Sequence, residues 1–207
     1  MNKSKVDFTD LRAPVGTIQL TKLQRLIRSA GIGEIDMEKK LVAIKLHFGE
    51  PGNLTYLRPN YAKAVADVVK ELGGVPFLTD CNTLYPGRRK NALEHIESAY
   101  ENGFSPFSTG CQVIIGDGLR GNDDVEVPVA GGEYVEKAKI GRAIMDADVF
   151  ISLSPLKGHE QTGFGGALTN IGKGCGSRRG KMAQQSAGKP GVRRQRSPGC
   201  RPCIKQC

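Results

Sequence analysis

The 207-residue sequence lacks any apolar run of the length that a membrane-spanning helix needs, about 18 residues. It also lacks an apolar stretch near its amino end, so we expect no secretory signal and a cytoplasmic protein. Glycine is frequent, at 27 residues, but it has no period of three, which excludes collagen. With 39% hydrophobic and 25% charged residues, the composition predicts a globular domain rather than a disordered tail.

Acidic residues are absent after Glu160, whereas ten of the 30 lysines and arginines lie between residues 173 and 207. The formal charge of +9 therefore belongs to the carboxyl-terminal region, because the preceding 172 residues are nearly neutral. Aromatic residues make up 6% of the chain and none follows Phe164, so the basic region has no platform on which single-stranded bases could stack. No helix-turn-helix or zinc-finger spacing occurs, and we expect no specific nucleic-acid partner and no membrane partner.

Apolar periodicity alternates between strand and helix patterns along most of the chain. Strands are predicted over 6–8, 41–48, 75–80, 111–118 and 148–156, with helices over 20–27, 59–72, 91–102 and 140–146. Segment 125–140 is predicted to be a hairpin that turns at Gly131 and Gly132. This alternation with short connections predicts an α/β fold: a mostly parallel sheet flanked by helices, with a β-hairpin excursion.

Beyond Gly158, glycine and basic residues dominate, and no further strand is predicted. We therefore assign residues 1–187 to an α/β domain and residues 188–207 to a separate carboxyl-terminal segment. That segment carries Cys200, Cys203 and Cys207 in the spacing C-x-x-C-x-x-x-C. In a reducing cytoplasm this spacing favours metal binding over disulfides, and a zinc site or a chance cluster are the alternatives to an iron site.

Polar side chains follow four of the predicted strands where each strand ends. Because ligands of open α/β sheets bind beyond the carboxyl ends of the strands, we expect these side chains to share a cleft. Six of them are predicted to be catalytic: Lys45, His47, Asp80, Asp117, Lys157 and His159. Five more positions are predicted to bind a cofactor: Glu50, Asn82, Gly163, Gly165 and Gly166.

Two kinds of ligand suit these residue types. Carboxylate and amide oxygens bind divalent cations such as Mg²⁺, whereas lysines and glycine N–H groups suit anionic oxygens. We therefore predict either a divalent metal or a small anionic ligand in the cleft. The sequence lacks a complete Walker A loop, dinucleotide fingerprint, zincin helix or G-x-S-x-G elbow, so no standard motif decides between them.

Each of these residues also has a purely structural alternative. Lys45 and His47 alternate along a strand and could form a hydrogen-bonded pair on one face. Asp80 and Asp117 could cap the turns that follow them. His95 lies in the pattern of a surface helix, with Leu93, Ile96 and Tyr100 on the apolar side, and we expect it to be solvated.

Several long strings resemble a family of iron–sulfur centre proteins whose reaction is not established. The resemblance covers nearly residues 5–189 and rests on HFGEPGN at 47–53, RPNY at 58–61, FLTDCNTLY at 77–85, IIGDGLRG at 114–121 and KGHEQTGFGGALTNIGKGCGSRRGKM at 157–182. Members are common in anaerobic bacteria and archaea. The resemblance implies an α/β domain followed by a ferredoxin module with two [4Fe–4S] clusters, and thus a redox or electron-transfer role with a partner protein.

The carboxyl-terminal cysteines match only part of such a module. A bacterial ferredoxin half-motif is C-x₂-C-x₂-C-x₃-C-P. Aligned on it, Cys200, Cys203 and Cys207 take the second to fourth positions, and Ser197 stands at the first. The second half-motif is missing, so we expect a truncated module with incomplete ligation of a [4Fe–4S] cluster.

Two functions therefore follow from the sequence. The first is a [4Fe–4S]-binding protein with a redox or electron-transfer role. The alternative is a cleft enzyme or a metal- or anion-binding α/β domain that uses its strand-end lysines, histidines and aspartates independently of any cluster.

Overall fold

A computed structural model describes residues 4–185 and 194–201 of the chain. The order of elements is α1 (Gln19–Ser29), β1 (Leu41–Lys45), α2 (Pro59–Glu71), β2 (Val75–Asp80), α3 (Ala92–Glu101), α4 (Pro106–Thr109), β3 (Gln112–Ile115), β4 (Asp124–Pro128), β5 (Lys137–Gly141), α5 (Arg142–Met145), β6 (Val149–Ser152), β7 (Lys157–His159), β8 (Gly163–Gly165), α6 (Ala167–Gly172) and α7 (Arg178–Gln185). Short 3₁₀ helices lie at Ile32–Glu34 and Arg194–Arg196.

Four of the described strands form a parallel sheet in the order β3-β2-β1-β6. Lys45, the last residue of β1, lies opposite Thr79 of β2 and Ser152 of β6. This register brings the carboxyl ends of the strands to one edge of the sheet, as expected for parallel strands joined by helices. The predicted α/β fold class is confirmed.

The core forms where α2 packs against the central strands. Proline at the first position of α2 suits a helix start, because its missing N–H would have no partner there. Val65, Val68 and Val69 recur at helical spacing and are buried. They pack against the fully buried Val42 and Ile44 of β1, which fixes the strand whose carboxyl end begins the site.

The predicted hairpin at 125–140 is confirmed as the antiparallel pair β4–β5. A second antiparallel pair, β7–β8, joins Lys157 to Gly165 and His159 to Gly163. The expectation that no strand follows Gly158 is therefore wrong. Apolar periodicity could not reveal this hairpin, because its β7 residues are all exposed and carry no hydrophobic face. No helix of the described residues is long and apolar enough to cross a membrane.

The strand predicted at 6–8 is absent: Val6 and Phe8 are each 85% exposed and no described strand pairs with them. A strand needs a neighbour for its hydrogen bonds, which three alternating residues do not provide. The strand predicted over 41–48 ends at Lys45, although Leu46 and Phe48 stay fully buried. The apolar run there reflects burial, which continues after strand pairing has ended.

His95 is fully buried, contrary to the expectation of a solvated residue. Its ring meets Phe48 edge-on at 5.8 Å between centroids, and its Nδ1 lies 3.3 Å from Asn82 Oδ1. Of the three residues predicted on the apolar side of α3, Ile96 packs against the core, whereas Leu93 and Tyr100 are 65% and 48% exposed. Hydropathy alone did not reveal that His95 is buried, because its neighbours come from other elements.

Candidate functional site

A cleft of about 230 Å³ opens at the carboxyl ends of β1 and β2. The loop after β2, the β7–β8 hairpin with the segment before it, α6, the segment between α6 and α7, and α7 also contribute to its lining. It is lined by Lys45, His47, Asp80, Cys81, Thr83, Leu84, Tyr85, Arg89, Pro155, Lys157, His159, Gly165, Gly166, Thr169, Asn170, Lys173, Gly174 and Lys181. The cleft thus brings together five of the six side chains predicted to be catalytic, and Asp117 is the exception.

The floor of the cleft is a buried ion-pair network around Asp80. The Lys45 ammonium lies 3.1 Å from Asp80 Oδ1, and only 2% and 5% of the two side chains are exposed. Lys45 also donates a hydrogen bond of 2.5 Å to Asn170 Oδ1. Arg89 donates from Nε to Glu50 Oε2 at 2.6 Å and lies 3.7 Å from Asp80 Oδ2. Two cations and two carboxylates therefore balance one another beneath the cleft.

The Asp80 carboxylate is held ionised by this network. Burial alone would raise the pKa of Asp80, but the Lys45 ammonium and His95 outweigh burial and hold it well below its usual range. His95 Nε2 lies 3.7 Å from Asp80 Oδ2, which is too far for a hydrogen bond. The backbone N–H of Cys81 donates to Asp80 Oδ1 at 2.9 Å. Protein groups thus already engage both carboxylate oxygens.

His47 is neutral over most of the physiological range. Burial lowers its pKa from 6.5 to about 4, and the Asp80 charge offsets only part of that effect. The backbone N–H of Gly49 donates to His47 Nδ1 at 3.0 Å. A neutral imidazole whose Nδ1 accepts a hydrogen bond carries its proton on Nε2. His47 is therefore a hydrogen-bond donor through Nε2.

His159 has the same arrangement at the exposed end of β7. The backbone N–H groups of Gln161 and Thr162 approach His159 Nδ1 at 3.2 and 3.3 Å. Nδ1 is again the acceptor, so Nε2 carries a proton. Both histidines of the cleft are thus oriented by their own following loops and present N–H groups.

Two lysines form the cationic part of the rim. Lys173 donates to the Tyr85 hydroxyl at 2.7 Å and lies 5.0 Å from the centroid of its ring. This hydrogen bond lowers the pKa of the Tyr85 phenol. Lys157 is exposed on β7. Within the described residues, neither ammonium forms an ion pair with a carboxylate.

Asp117 and Asn82 support the cleft from behind. The Asp117 carboxylate accepts hydrogen bonds of 2.9 Å from the backbone N–H groups of Asn82 and Arg178 and from the Asn82 amide. Burial raises the pKa of Asp117, and the hydrogen bonds from Asn82 and Arg178 offset part of that effect. Neither side chain lines the cleft, and both are fully buried. Their geometry ties the turn after β2 to the turn after β3 and to the start of α7.

Lys181 of α7 joins two loops from below. Its ammonium donates to backbone carbonyl oxygens of Cys81, Asn82, Gly174 and Gly176 at 2.7–3.3 Å. Burial lowers its pKa, although nearby carboxylates oppose the shift. This residue connects the loop after β2 with the segment that precedes α7.

The remaining predicted residues fall into different places. Gly165 and Gly166 line the cleft, whereas Gly163, with a φ of 77°, begins β8 directly after the hairpin turn. Glu50 pairs with Arg89 beneath the floor. Cys200 is exposed, and Cys203 and Cys207 lie outside the described residues.

Comparison with known proteins places the sequence in a family. Residues 42–197 match the family model described as "Domain of unknown function (DUF362)". The chain belongs to the DUF362 family. That match does not test the ferredoxin module or its truncation, and both stay predictions.

One curated relative is the "Thylakoid-associated protein sll1697" of Synechocystis sp.. It is 30% identical over 117 residues, which make up 54% of this DUF362 chain and 30% of the relative. The chain thus spans less than a third of that relative's length. Among solved structures, the lactate racemase apoprotein from Thermoanaerobacterium thermosaccharolyticum aligns with 82% of the chain and 36% of its own, at 15% identity and a TM-score of 0.49.

Several residues that line the DUF362 cleft were not predicted from the sequence: Tyr85, Arg89, Asn170, Lys173 and Lys181. Arg89 comes nine residues after β2, beyond the strand end at which polar residues were sought. The other cleft residues from 170 onward lie within the long string at 157–182 that carried the family resemblance. Position in that string was the available signal, because none of these residues belongs to a strand end.

Ligands for a metal do not converge in the described part of this DUF362 domain. Among residues 4–185 and 194–201, no three His, Cys, Asp or Glu side chains come together as a group that could hold an ion. In the cleft itself, lysine, arginine and histidine outnumber the one carboxylate, Asp80. The donor set therefore suits an anion better than a divalent cation.

Proposed function

We propose that this DUF362 domain binds a small anionic molecule in the cleft at the carboxyl ends of its parallel strands. The proposal rests on the groups in the lining that have no carboxylate partner: they are positively charged or donate hydrogen bonds, as an anionic ligand requires. Lys157 and Lys173 have no described carboxylate partner, and His47 and His159 each present Nε2–H. The carboxylate in the lining, Asp80, is already engaged by Lys45 and by the backbone.

The size of the cleft limits the ligand. Pockets that enclose drug-sized molecules have volumes of roughly 300–1,000 Å³. At about 230 Å³ this cleft is smaller, so it favours a short carboxylate or phosphate compound over a nucleotide. The neutral His47 would donate a hydrogen bond to the ligand rather than remove a proton from it, because the Nδ1 lone pair is occupied by Gly49.

The test titrates the full chain with inorganic phosphate and, separately, with propionate. Isothermal titration calorimetry measures the affinity for each. Lys157→Gln and Lys173→Gln should each weaken binding about tenfold or more, because a hydrogen bond to a charged group contributes about 1.5–3 kcal/mol. Lys40→Gln is the matched control, since Lys40 precedes the opposite end of β1 and pairs with Asp36 at the surface.

Equal affinity of the two cleft variants and the wild type would reject the cleft as the binding site. Failure of both probes to bind would reject the proposal for small anions of these two classes. The control variant should bind as the wild type does, which separates a local loss of contact from a general loss of positive charge.

A second candidate function is [4Fe–4S] binding by the carboxyl-terminal segment, with a redox role. It rests on the C-x-x-C-x-x-x-C spacing and on the exposure of Cys200, which leaves that thiol accessible to a cluster. A cytoplasmic location belongs with this candidate, because thiolate ligands need a reducing compartment. Iron and acid-labile sulfide in the anaerobically purified chain, lost in Cys200→Ser, would support it, and their absence would reject it for this chain.

A further inference from the structure

We propose that the ligand carries its charge at one end only: an anionic group that binds at the rim beside Lys157 and Lys173, and a short uncharged body that lies over the floor. This inference rests on the proposed function and names the ligand class. It follows from the difference between the charges of the floor and those of the rim.

The floor offers no unpaired charge to a ligand. Lys45 lies 3.1 Å from Asp80, and Arg89 donates to Glu50 at 2.6 Å. All of these side chains except Glu50 are at most 9% exposed, so water screens their interactions only weakly. A second anionic group pushed into this region would lie near two carboxylates and would find both cations already paired.

The rim has the opposite character. Lys157 is exposed on β7, and Lys173 contacts the Tyr85 hydroxyl, a neutral group, at 2.7 Å. These ammonium groups are the cations of the lining that neither a carboxylate nor a set of backbone carbonyls engages, within the part of the chain that the structure describes. The anionic end of a ligand therefore has its best partners at the mouth.

Besides its charged groups, the cleft offers apolar surface and neutral hydrogen-bond donors. Leu84 and Pro155 contribute apolar walls, and His47 contributes the Nε2–H described above. An uncharged carbon chain fits this apolar surface, because its burial is favourable and needs no charged partner.

The first experiment compares matched series of ligands on the wild-type chain by calorimetry. Acetate, propionate and butyrate should bind with an affinity that rises about fourfold for each methylene group, the gain expected for burial of a CH₂. Methyl-, ethyl- and propylphosphonate form a parallel series that distinguishes a carboxylate from a phosphonate head group. Butyrate should bind at least tenfold tighter than succinate, which has the same chain length and a second carboxylate.

The second experiment changes the charge of the floor. Glu50→Gln removes the carboxylate to which Arg89 is hydrogen-bonded and leaves it only the longer 3.7 Å contact with Asp80, so the second carboxylate of succinate gains a partner. The ratio of butyrate to succinate affinity should fall at least tenfold in this variant. Glu126→Gln makes the same change in net charge on the remote β4–β5 hairpin, where Glu126 pairs with Lys139, and should leave the ratio unchanged.

These outcomes separate the inference from the proposed function. If anions bind in a Lys157-dependent manner but succinate binds as tightly as butyrate, or chain length has no effect, the one-ended ligand class is wrong and the anion-binding cleft stands. If no anion binds, both fail. If Glu50→Gln does not fold, the wild-type comparison of butyrate with succinate still decides the question.

Discussion

Lys45 shows how one buried residue can be structural and functional at once. Its ammonium is paired with Asp80 and bonded to Asn170, and it also lies in the lining of the cleft. The sequence suggested this position because Lys45 ends an apolar strand. The partners could not be predicted, since Asn170 is 125 residues away and in a helix that has no buried residue.

We predict that Lys45→Met lowers the free energy of unfolding by about 3–5 kcal/mol, because it leaves the Asp80 carboxylate buried without its closest cation. Urea denaturation followed by circular dichroism measures the change. Lys63→Met breaks the surface pair with Asp67, whose side chains are 50% and 34% exposed, and should cost under about 0.5 kcal/mol. Similar losses in the two variants would contradict the buried network.

The second residue-scale prediction concerns pH and His47. Its pKa is about 4 in the folded chain and 6.5 when unperturbed, so between these values the unfolded state binds more protons. Stability contributed by the neutral histidine is complete above about pH 6.5 and is lost as pH falls through 4, by up to about 3 kcal/mol.

The free energy of unfolding measured between pH 7 and pH 4 should therefore decline less steeply in His47→Gln than in the wild type. A slope that is the same in both proteins would contradict a neutral, buried His47 in the folded chain.

At the scale of elements, the sequence predicted β2 to the residue and the start of α2 at Pro59. Both elements are buried, and residues that favour element ends mark their boundaries: a proline starts the helix, and two glycines precede the strand. The β7–β8 hairpin and the buried face of α3 could not be predicted, because polar contacts rather than apolar periodicity determine them. Those same polar elements supply His159 to the cleft and His95 to its support.

A close approach between elements gives the next prediction. Gly141, the last residue of β5, leaves no room for a side chain: a β-carbon there would lie 2.6 Å from Cys81 Sγ and 2.8 Å from the Gly116 carbonyl oxygen. Gly141→Ala should therefore lower the free energy of unfolding by at least about 1–3 kcal/mol, the usual cost of overpacking.

Thermal denaturation measures this effect, with Gly33→Ala as the control. A β-carbon at Gly33 would meet nothing within 4 Å, so its melting temperature should change little. A Gly141→Ala protein that is as stable as the control would mean that Gly141 does not approach Cys81 and Gly116 as closely as the structure shows.

At the scale of the whole molecule, the cysteines divide into two groups. Cys81, Cys111 and Cys175 are buried, and burial raises the pKa of each thiol, whereas Cys200 is exposed. Thiolate rather than thiol is the reactive form, so the buried group should react slowly.

We predict that the variant with serine at positions 200, 203 and 207 shows no rapidly reacting thiol with Ellman's reagent in its native state. After unfolding in guanidinium chloride it should show three. Fast native reaction of any of these three thiols would contradict the packing of β2, β3 or the segment before α7.

The cleft of this DUF362 chain is lined by residues between 45 and 181. The sequence predicted the lining residues at strand ends better than those on helices and loops. Strand ends gave Lys45, His47 and Asp80, because parallel strands place their carboxyl ends at one edge. No such rule exists for residues that arrive from helices and loops, and Lys173 and Lys181 were missed for that reason.

The carbonyl contacts of Lys181 also have a consequence for biosynthesis. Lys181 lies 100 residues after Cys81, whose carbonyl oxygen it contacts. At about 5–20 residues per second, a ribosome needs roughly 5–20 s to add that stretch, and domains fold as their chain emerges. In a nascent chain, β1 and β2 can therefore form before Lys181 is available to bind the carbonyl groups of the loop after β2. The cleft is completed only once α7 has left the ribosome.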